Sequence, residues 1–316
     1  VNTKDVPSSN LFTISVGTSL NDQTHFKKFL YNKGSGTDFL GFDNGFRSLK
    51  GGINAVLSPM NNGYDLLNNG LNNDWTVKDR RPLADLSLNM NFSRRWVDSS
   101  GRTLAILGTV NYSNSYRTYL DMDNNLFGAY DMTHDCSNYL RKSIDDQYNH
   151  SVRIGTMLNF TYIPASGNSR YEFKNIFNQL GKDRYTYRKG TDAQSDYEES
   201  AEYYYQSRTT YNGQFTGKHT LGNTDKLDWS AGYSYANRNM PDRRRYTTVL
   251  NEETNQLEVE NLNEINREFS RLDEHILSAN INYQHDFSFG IFTPSLKVGA
   301  LSLIHISEPT RPLYIS

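Results

Sequence analysis

A histidine, an aspartate and the only cysteine of the chain stand side by side at His134, Asp135 and Cys136. A histidine that takes the proton of a cysteine can create a thiolate nucleophile, so these residue types could support covalent catalysis. Adjacent residues rarely turn their side chains toward one another, however, and no pattern in the sequence indicates an oxyanion-binding site. We therefore expect no catalytic residues and no enzymatic activity.

A second cluster supplies oxygen atoms instead of a nucleophile. The stretch LDMDNN places Asp121, Asp123, Asn124 and Asn125 at spacings that resemble part of a calcium-binding loop. It lacks the glycine and the distal glutamate that complete such a loop, and the sequence contains no zinc-ligand spacing and no phosphate-binding glycine motif. A single cysteine also excludes an intrachain disulfide. We expect a solvated loop here, with no metal and no cofactor.

Two further groups of residues could bind a ligand without catalysing a reaction. The stretch PDRRRY could contact an anionic ligand or lipopolysaccharide phosphates through paired hydrogen bonds, or it could pair with the acidic stretch at 252–268. Aromatic residues in the long connections could stack on sugar rings or flat chelates, or could simply pack within the loops. The candidate residues are Arg243, Arg244 and Arg245 for the anion, and Trp75, Tyr116, Tyr119, Phe127 and Tyr130 for the ligand.

Alternating apolar and polar residues indicate the elements that must position these groups. Leu86, Leu88, Met90 and Phe92 alternate with polar residues, and other stretches repeat the pattern. Alternation over such lengths is typical of half-buried strands and not of helices. We expect about nine strands, near residues 11–19, 84–96, 103–113, 151–163, 170–186, 200–220, 227–236, 273–286 and 291–300.

The composition is compatible with strands that cross a membrane. The 316 residues carry a net charge of −2, which gives no general attraction to nucleic acid. Aromatic residues make up 13% of the chain, and the mean hydropathy is −0.72. No apolar run reaches the roughly 18 residues of a transmembrane helix. A transmembrane β-barrel has a similarly low hydropathy, because only alternate residues of its strands meet lipid.

The connections between the predicted strands alternate in length. Short polar or glycine turns are expected at 98–102, 165–169, 221–226 and 286–290, and longer charged connections at 114–150, 187–200 and 237–272. Short periplasmic turns and long extracellular loops are typical of outer-membrane barrels. The polar face of the strands, which includes Arg153, Glu172 and Lys174, suits a water-filled interior. The pattern therefore predicts part of an all-β, antiparallel transmembrane barrel.

Two stretches carry motifs that recur in one family. They are TDFLGFDNGFR, from Thr37 to Arg47, and the EFKNIFNQ core of the segment from Arg170 to Gly190. These stretches resemble the first barrel segment and a mid-barrel strand of Bacteroidetes TonB-dependent receptors of the SusC-like, plug-and-barrel type. The resemblance covers roughly residues 10–300. It implies an outer-membrane barrel of about 22 strands, an N-terminal plug and energy from an inner-membrane TonB complex.

The resemblance also implies a function. A receptor of this kind imports a large ligand across the bacterial outer membrane, such as a glycan or siderophore, and haem, cobalamin and peptides are also possible. The implied partners are outer-membrane lipid and lipopolysaccharide, the TonB complex and a surface substrate-binding lipoprotein, with no nucleic acid. Two alternatives stay open, namely a passive porin-like or structural outer-membrane barrel and a soluble carbohydrate-binding β-protein.

We expect three regions along the chain. Residues 1–10 are the end of an upstream segment, since the chain has no initiator methionine, and residues 11–300 are a partial barrel that lacks the plug and the TonB box. Residues 301–316 break the alternation of the last strand. Leu301 to Arg311 match the translation of a transposase-type sequencing adapter, and Ile315 and Ser316 match the bases that follow its index. We interpret this tail as translated adapter that carries no function.

Overall fold

The computed structural model describes residues 7, 9–49, 71–259, 265–309 and 313–315, and this part of the chain is almost entirely β-structure. Besides one short 3-10 helix at Asp38–Leu40, the described residues form fourteen strands. These are β1 (Leu11–Ser19), β2 (Phe29–Asn32), β3 (Val77–Arg80), β4 (Asp85–Val97), β5 (Thr103–Asp123), β6 (Leu126–Asp131), β7 (Cys136–Ile163), β8 (Ser169–Asp192), β9 (Tyr197–Leu221), β10 (Asp225–Asn251), β11 (Gln256–Glu258), β12 (Asn266–Asp286), β13 (Ser295–Pro309) and β14 (Leu313–Ile315).

Twelve of these strands form one large antiparallel sheet. Nine follow one another in the order β1, β4, β5, β7, β8, β9, β10, β12 and β13, while β6, β11 and β14 pair at the sides with β7, β10 and β12. Strands β2 and β3 pair separately as a two-stranded ribbon. Within the described ranges β1 and β13 do not pair with each other, so the sheet has two open edges. The prediction of an all-β, antiparallel fold is confirmed.

The strands are longer than the sequence pattern predicts. Strand β5 continues to Asp123 instead of ending near residue 113, and β7 begins at Cys136 instead of near residue 151. Most of the segments predicted to be long loops are therefore paired strand. The apolar–polar alternation fades in these extensions, whereas the backbone ladder, which does not depend on side-chain type, continues.

The register assigns the two faces of the sheet as the alternation predicts. Directly opposed residues share a face, so the pairs Phe12–Phe92 and Val16–Leu88 lie on one apolar face. The opposite, polar face carries Asn89 opposite Asn111 in β4 and β5, among many asparagine, serine and charged residues. We use the terms apolar face and polar face for these two surfaces below.

A docked segment, formed by residues 20–49 and 71–84 with β2 and β3, covers one part of the apolar face. Phe29, at the start of β2, is 1% exposed and packs edge-on against the rings of Tyr116 and Tyr148. The backbone N–H of Thr118 donates to Oγ1 of Thr24 at 2.9 Å. The covered part is the end of the sheet that lies away from the short turns, where the strands extend beyond their predicted bounds.

The rest of the apolar face forms an uncovered apolar band next to the short turns. In β5 the band runs from Leu104, which is 44% exposed, to Tyr112. The hydroxyl of Tyr112 donates to the Phe39 carbonyl at 3.0 Å, so Tyr112 marks the edge of the docked segment. Opposite these residues in β7 lie Tyr162 and Ile154. The band is thus about nine residues deep in β5 and β7. No helix in the described part of the chain is long and apolar enough to cross a membrane.

The last long strand shows a break in side-chain pattern without a break in pairing. Strand β13 pairs with β12 along its whole length, from Ser295 opposite Asp286 to Pro309 opposite Leu272. Beyond Ala300, the apolar residues Leu301 and Leu303 oppose Asn280 and Ser278 on the polar face. Backbone hydrogen bonds therefore continue into residues 301–309 although the alternation stops there.

Candidate functional site

The family-like motif forms a compact turn that docks on the apolar face. Arg47 is 8% exposed, and its guanidinium donates two hydrogen bonds to Asp38, at 2.9 and 2.7 Å, and one to Asp43, at 2.8 Å. The guanidinium also lies 4.0 Å from the ring centroid of Tyr205. Burial disfavours the charged guanidinium, but the hydrogen bond to Asp38 and the neighbouring carboxylates outweigh that effect and raise the pKa of Arg47.

The turn approaches the sheet at a pair of glycines. Gly41 has a φ of +79°, and its carbonyl accepts a 2.5 Å hydrogen bond from Nε2 of the fully buried Gln179. Oε1 of Gln179 in turn accepts a hydrogen bond from Thr209 on the neighbouring strand. A Cβ atom on Gly181 would lie 2.5 Å from the Cα atom of Gly41. The motif therefore serves to fix this turn against β8.

Asp183 lies beside this turn and faces the same charged groups. Burial raises the pKa of Asp183 to about 6, the nearby Arg47 opposes that rise, and the carboxylate of Asp38 adds to it. Three carboxyl groups therefore share the surroundings of a single buried guanidinium. The arrangement is an ion cluster that fixes the turn, and we expect its stability to depend on pH through Asp183.

Two of the predicted ligand-binding aromatics, one on the sheet and one in the docked segment, are partly buried where the docked segment contacts the sheet. Tyr116 stacks on His150 with ring centroids 4.4 Å apart, and it also contacts Phe29. Trp75 packs edge-on against Tyr203, whose hydroxyl donates to the Trp75 carbonyl at 2.8 Å. Both residues therefore contribute to the contact between the docked segment and the sheet.

The other three predicted aromatics are exposed at the end of the sheet that carries the long connections. Tyr119 is 48% exposed, and Phe127 and Tyr130 lie on β6 with 54% and 55% exposure. Phe127 contacts Tyr139, and the Tyr130 hydroxyl donates to Asp135. The five candidates therefore do not converge on one site, and their predicted role in ligand binding stays a prediction.

The three consecutive arginines are divided between the two faces of the sheet. Arg244 points to the apolar face, where it is 4% exposed and donates to the Asp74 carbonyl at 2.8 Å. Arg243 points to the polar face and donates to Glu202 and, at 3.2 Å, to Glu268. Arg245 also lies on the polar face and is exposed. A strand alternates its side chains, so the three cannot act as one anion-binding fork.

The polar face contains a groove lined in large part by cationic side chains. It runs across β8, β9, β10 and β12 and encloses about 480 Å³. Five cationic side chains and one carboxylate contribute to its walls. The lining residues are Leu180, Lys182, Arg184, Tyr204, Gln206, Arg208, Arg238, Met240, Arg243 and Glu268.

One end of the groove is neutralised within the protein. Glu202 accepts hydrogen bonds from Arg184, at 2.6 Å, and from Arg243. Burial disfavours the Glu202 carboxylate, but these two guanidinium groups outweigh the effect and hold its pKa below the usual range. The ring of Tyr204 lies 4.7 Å from the Arg184 guanidinium. On the other side of the groove, Arg208 and Arg238 form no ion pair with a carboxylate in the described part of the chain.

The two clusters that could have carried chemistry are engaged in contacts with other residues of the chain. Nδ1 of His134 lies 2.6 Å from Asp131, and Asp135 accepts from Tyr130, so neither is directed at the exposed Cys136. In the oxygen-rich stretch, Asn124 donates to Asp145 at 2.7 Å. No group of histidine, cysteine, aspartate or glutamate side chains in the described residues is arranged to hold a metal ion.

Among the groove residues, only Arg243 is a candidate that the sequence identifies. Arg208 and Arg238 lie on different strands, and only the register of β9 and β10 places them opposite each other. The usable signal was the alternation itself, because even-numbered residues of β9 share the polar face with Gln214 and Thr216. Comparisons with protein-family models, with curated proteins and with solved structures give no match for this chain.

Proposed function

We propose that the chain forms part of the wall of an outer-membrane β-barrel, and that this barrel is a TonB-dependent receptor that imports a ligand too large for porins. The observation that carries the proposal is the two-faced sheet. In β5 and β7 one face presents an uncovered apolar band about nine residues deep, and the other carries polar residues such as Thr109, Asn111 and Asn159 at the same depth.

The depth of the band agrees with that of a membrane. A tilted strand crosses the hydrocarbon core with about 9–11 residues, and the band occupies about nine residues between the short turns and the docked segment. Aromatic residues mark its borders, with Trp96 and Tyr162 near the short turns and Tyr112 at the docked segment. Membrane barrels place such aromatic girdles at both interfaces.

The polar face supports a water-filled interior. Glu172 accepts hydrogen bonds from Arg170 and lies 3.1 Å from Nζ of Lys174, so charged groups sit on this face at the depth of the band. A charge at the same depth on a lipid-facing surface costs about 2–4 kcal/mol for lysine or arginine. The uncovered apolar band argues against a soluble β-protein, because large exposed apolar surfaces are rare in soluble monomers.

The choice of a receptor over a passive barrel rests on the family-like motifs. The run from Thr37 to Arg47 is the stretch that resembles the receptors, and here it forms the turn that docks through Gly41 and Arg47. The strand pattern alone does not separate the two, because a passive porin would have the same kind of strands. Conductance of the full-length gene product in planar bilayers separates the two: a large steady conductance contradicts the receptor, and a closed lumen supports it.

The membrane placement is tested with lipids brominated at the middle of their acyl chains. The chain contains three tryptophans, and phenylalanine replacements leave one at a time. Trp229 lies in the apolar band, opposite Gly217 and Ile281, whereas Trp75 lies within the docked segment, against Tyr203. We expect bromolipid vesicles to quench Trp229 strongly and Trp75 weakly. Equal quenching of the two residues would contradict the proposed membrane position.

A further inference from the structure

We propose that the groove on the polar face binds a multiply charged oxyanion, a solute that carries two or more carboxylate, sulfate or phosphate groups. The inference rests on the proposed function, because it names the class of ligand that the barrel would recognise. Its basis is independent of the membrane, however, and lies in the unpaired charges and unpaired donors of the groove.

The first observation is a set of cations without counter-ions. Arg208 and Arg238 are directly opposite each other in β9 and β10 and are both exposed on the polar face. Neither forms an ion pair with any residue that the structure describes, in contrast to Arg184 and Arg243 in the same groove. Like charges directly opposite each other destabilise a sheet. A bound anion would convert this repulsion into attraction.

The second observation is a pair of buried donors without acceptors. Nε2 of Gln206, a residue 7% exposed, and Nε of Arg184 are both buried and have no hydrogen-bond partner among the described residues. Both residues line the groove. A buried donor without a partner costs roughly 1–3 kcal/mol. Both atoms are nitrogen donors, so the missing partner is an acceptor, and oxyanions supply several acceptor atoms at once.

The spacing of the cations favours a ligand with more than one charge. Neighbouring strands lie about 4.8 Å apart, so Arg208 and Arg238 are one strand spacing apart. Arg153 belongs to the same transverse row, because it is opposite Leu180, which is opposite Arg208. Anionic groups about 5–10 Å apart match this row. A neutral solute could satisfy the buried donors but would leave the arginines uncompensated.

The test compares an acidic and a neutral trisaccharide of similar size. The full chain, refolded in detergent, is titrated calorimetrically with trigalacturonate and with maltotriose at low salt. We expect trigalacturonate to bind at least about tenfold more tightly, and the preference to shrink as salt screens the charges. Equal affinity for the two sugars, or no binding of trigalacturonate, would overturn the proposal.

Variants locate the binding. The double variant R208Q/R238Q and the single variant K182Q should weaken trigalacturonate binding, the former by about tenfold or more. K297Q is the matched control, because Lys297 is a cation on the polar face of β13, opposite Gln284 and outside the groove. Circular dichroism verifies folding, and K182Q keeps the test decisive if the double variant does not fold. Equal losses in K182Q and K297Q would contradict a groove site.

Two further outcomes distinguish a solute from a protein segment in the groove, and the groove from the membrane. A hexaglutamate peptide that binds about tenfold more tightly than trigalacturonate would assign the groove to an acidic protein segment and overturn the solute assignment. Binding is measured in detergent, so it does not depend on bromolipid quenching. If Trp229 is not quenched but trigalacturonate still binds, the membrane proposal alone is refuted. If Trp229 is quenched but trigalacturonate does not bind, the anion-binding proposal alone is refuted.

Discussion

Gly41 and Gly181 face each other so closely that neither position leaves room for a side chain toward the other. The built Cβ of Gly41 would lie 2.8 Å from the backbone nitrogen of Gly181, and that of Gly181 would lie 2.5 Å from the Cα of Gly41. Gly41 also requires a positive φ, which L-residues with side chains rarely adopt. The contact joins the family-like turn to β8.

Replacing Gly181 by alanine should therefore loosen the docked segment. The added methyl group meets backbone atoms that cannot rotate away, so we expect a loss of about 1–3 kcal/mol in the free energy of unfolding. Gly36 is the matched control, since a Cβ there meets nothing within 4 Å. Guanidinium unfolding measures the loss in the free energy of unfolding. Limited proteolysis at Arg47 measures how far the docked segment has loosened. Equal stability of G181A and G36A would show that the close approach is not rigid.

The buried Asp183 predicts a pH-dependent difference between the wild type and D183N. The folded-state pKa of about 6 lies above the usual value near 3.9, so the folded state binds more protons than the unfolded state between these values. The wild type thus loses stability from this group as the pH rises from about 4 to 6. We expect the free energy of unfolding of D183N, relative to that of the wild type, to increase by about 1–3 kcal/mol over that range. A constant difference measured from pH 4 to pH 8 would refute this.

His150 predicts the opposite dependence. Burial, with a smaller contribution from Arg80, lowers the pKa of His150 to about 3, below the usual value near 6.5. The neutral ring stacks on Tyr116, and its Nε2 lies 2.9 Å from Oδ1 of Asn114. The contribution of the neutral ring to the free energy of unfolding is complete above about pH 6.5. It is lost as the pH falls toward 3.

The H150Q variant isolates that effect, because glutamine does not titrate. We expect the wild type to lose up to about 4 kcal/mol relative to H150Q between pH 6.5 and pH 3. Chemical unfolding at several pH values provides the measurement. Parallel stability curves for the two proteins would mean that the ring is not held neutral by its surroundings.

The opposed arginines predict a variant that is more stable than the wild type. Replacing Arg238 by glutamine removes the repulsion with Arg208, and we expect a gain of about 0.2–1 kcal/mol that diminishes at high salt. R102Q serves as the comparison, because exposed Arg102 faces Asp98 at 3.7 Å and should show no gain. Thermal unfolding at two salt concentrations checks this. A destabilised R238Q would indicate that a contact other than a bound anion holds the arginine.

The sequence predicts the strands and faces well wherever one side of the sheet is apolar. The alternation around Leu88 and Phe92 is sufficient to assign both faces, because a register shift of one residue would reverse every side chain. Under the docked segment that signal disappears. The buried partners there are Tyr148, Tyr185 and Tyr203, whose burial depends on a segment more than fifty residues away in sequence.

The candidate site was harder to predict for a related reason. Consecutive arginines look like one basic cluster, yet the alternation of β10 separates Arg244 from Arg243. Arg208 and Arg238 look unremarkable in the sequence, and only antiparallel pairing places them together. Contacts of this kind follow from register, which depends on the whole sheet and not on any local pattern.

The interpretation of residues 301–316 as translated adapter has a direct test. Strand β13 shows that backbone pairing can extend into Leu301 and Leu303 although both lie on the polar face. Such pairing uses groups that every residue except proline possesses, so it does not distinguish native sequence from foreign sequence. Genomic DNA sequenced across the codon of Ala300 should not encode the tail. A genome that does encode it would refute the interpretation.

The open edge at β1 has a practical consequence for handling the protein. Among the described residues β1 pairs on one side only, with β4, and its side chains include the exposed Phe12 and Val16, at 65% and 69% exposure. A long, flat, apolar edge of this kind is a template for self-association between chains. In water the polypeptide should grow into insoluble aggregates by strand addition, and it should accumulate as inclusion bodies unless an amphiphile or further strands cap that edge.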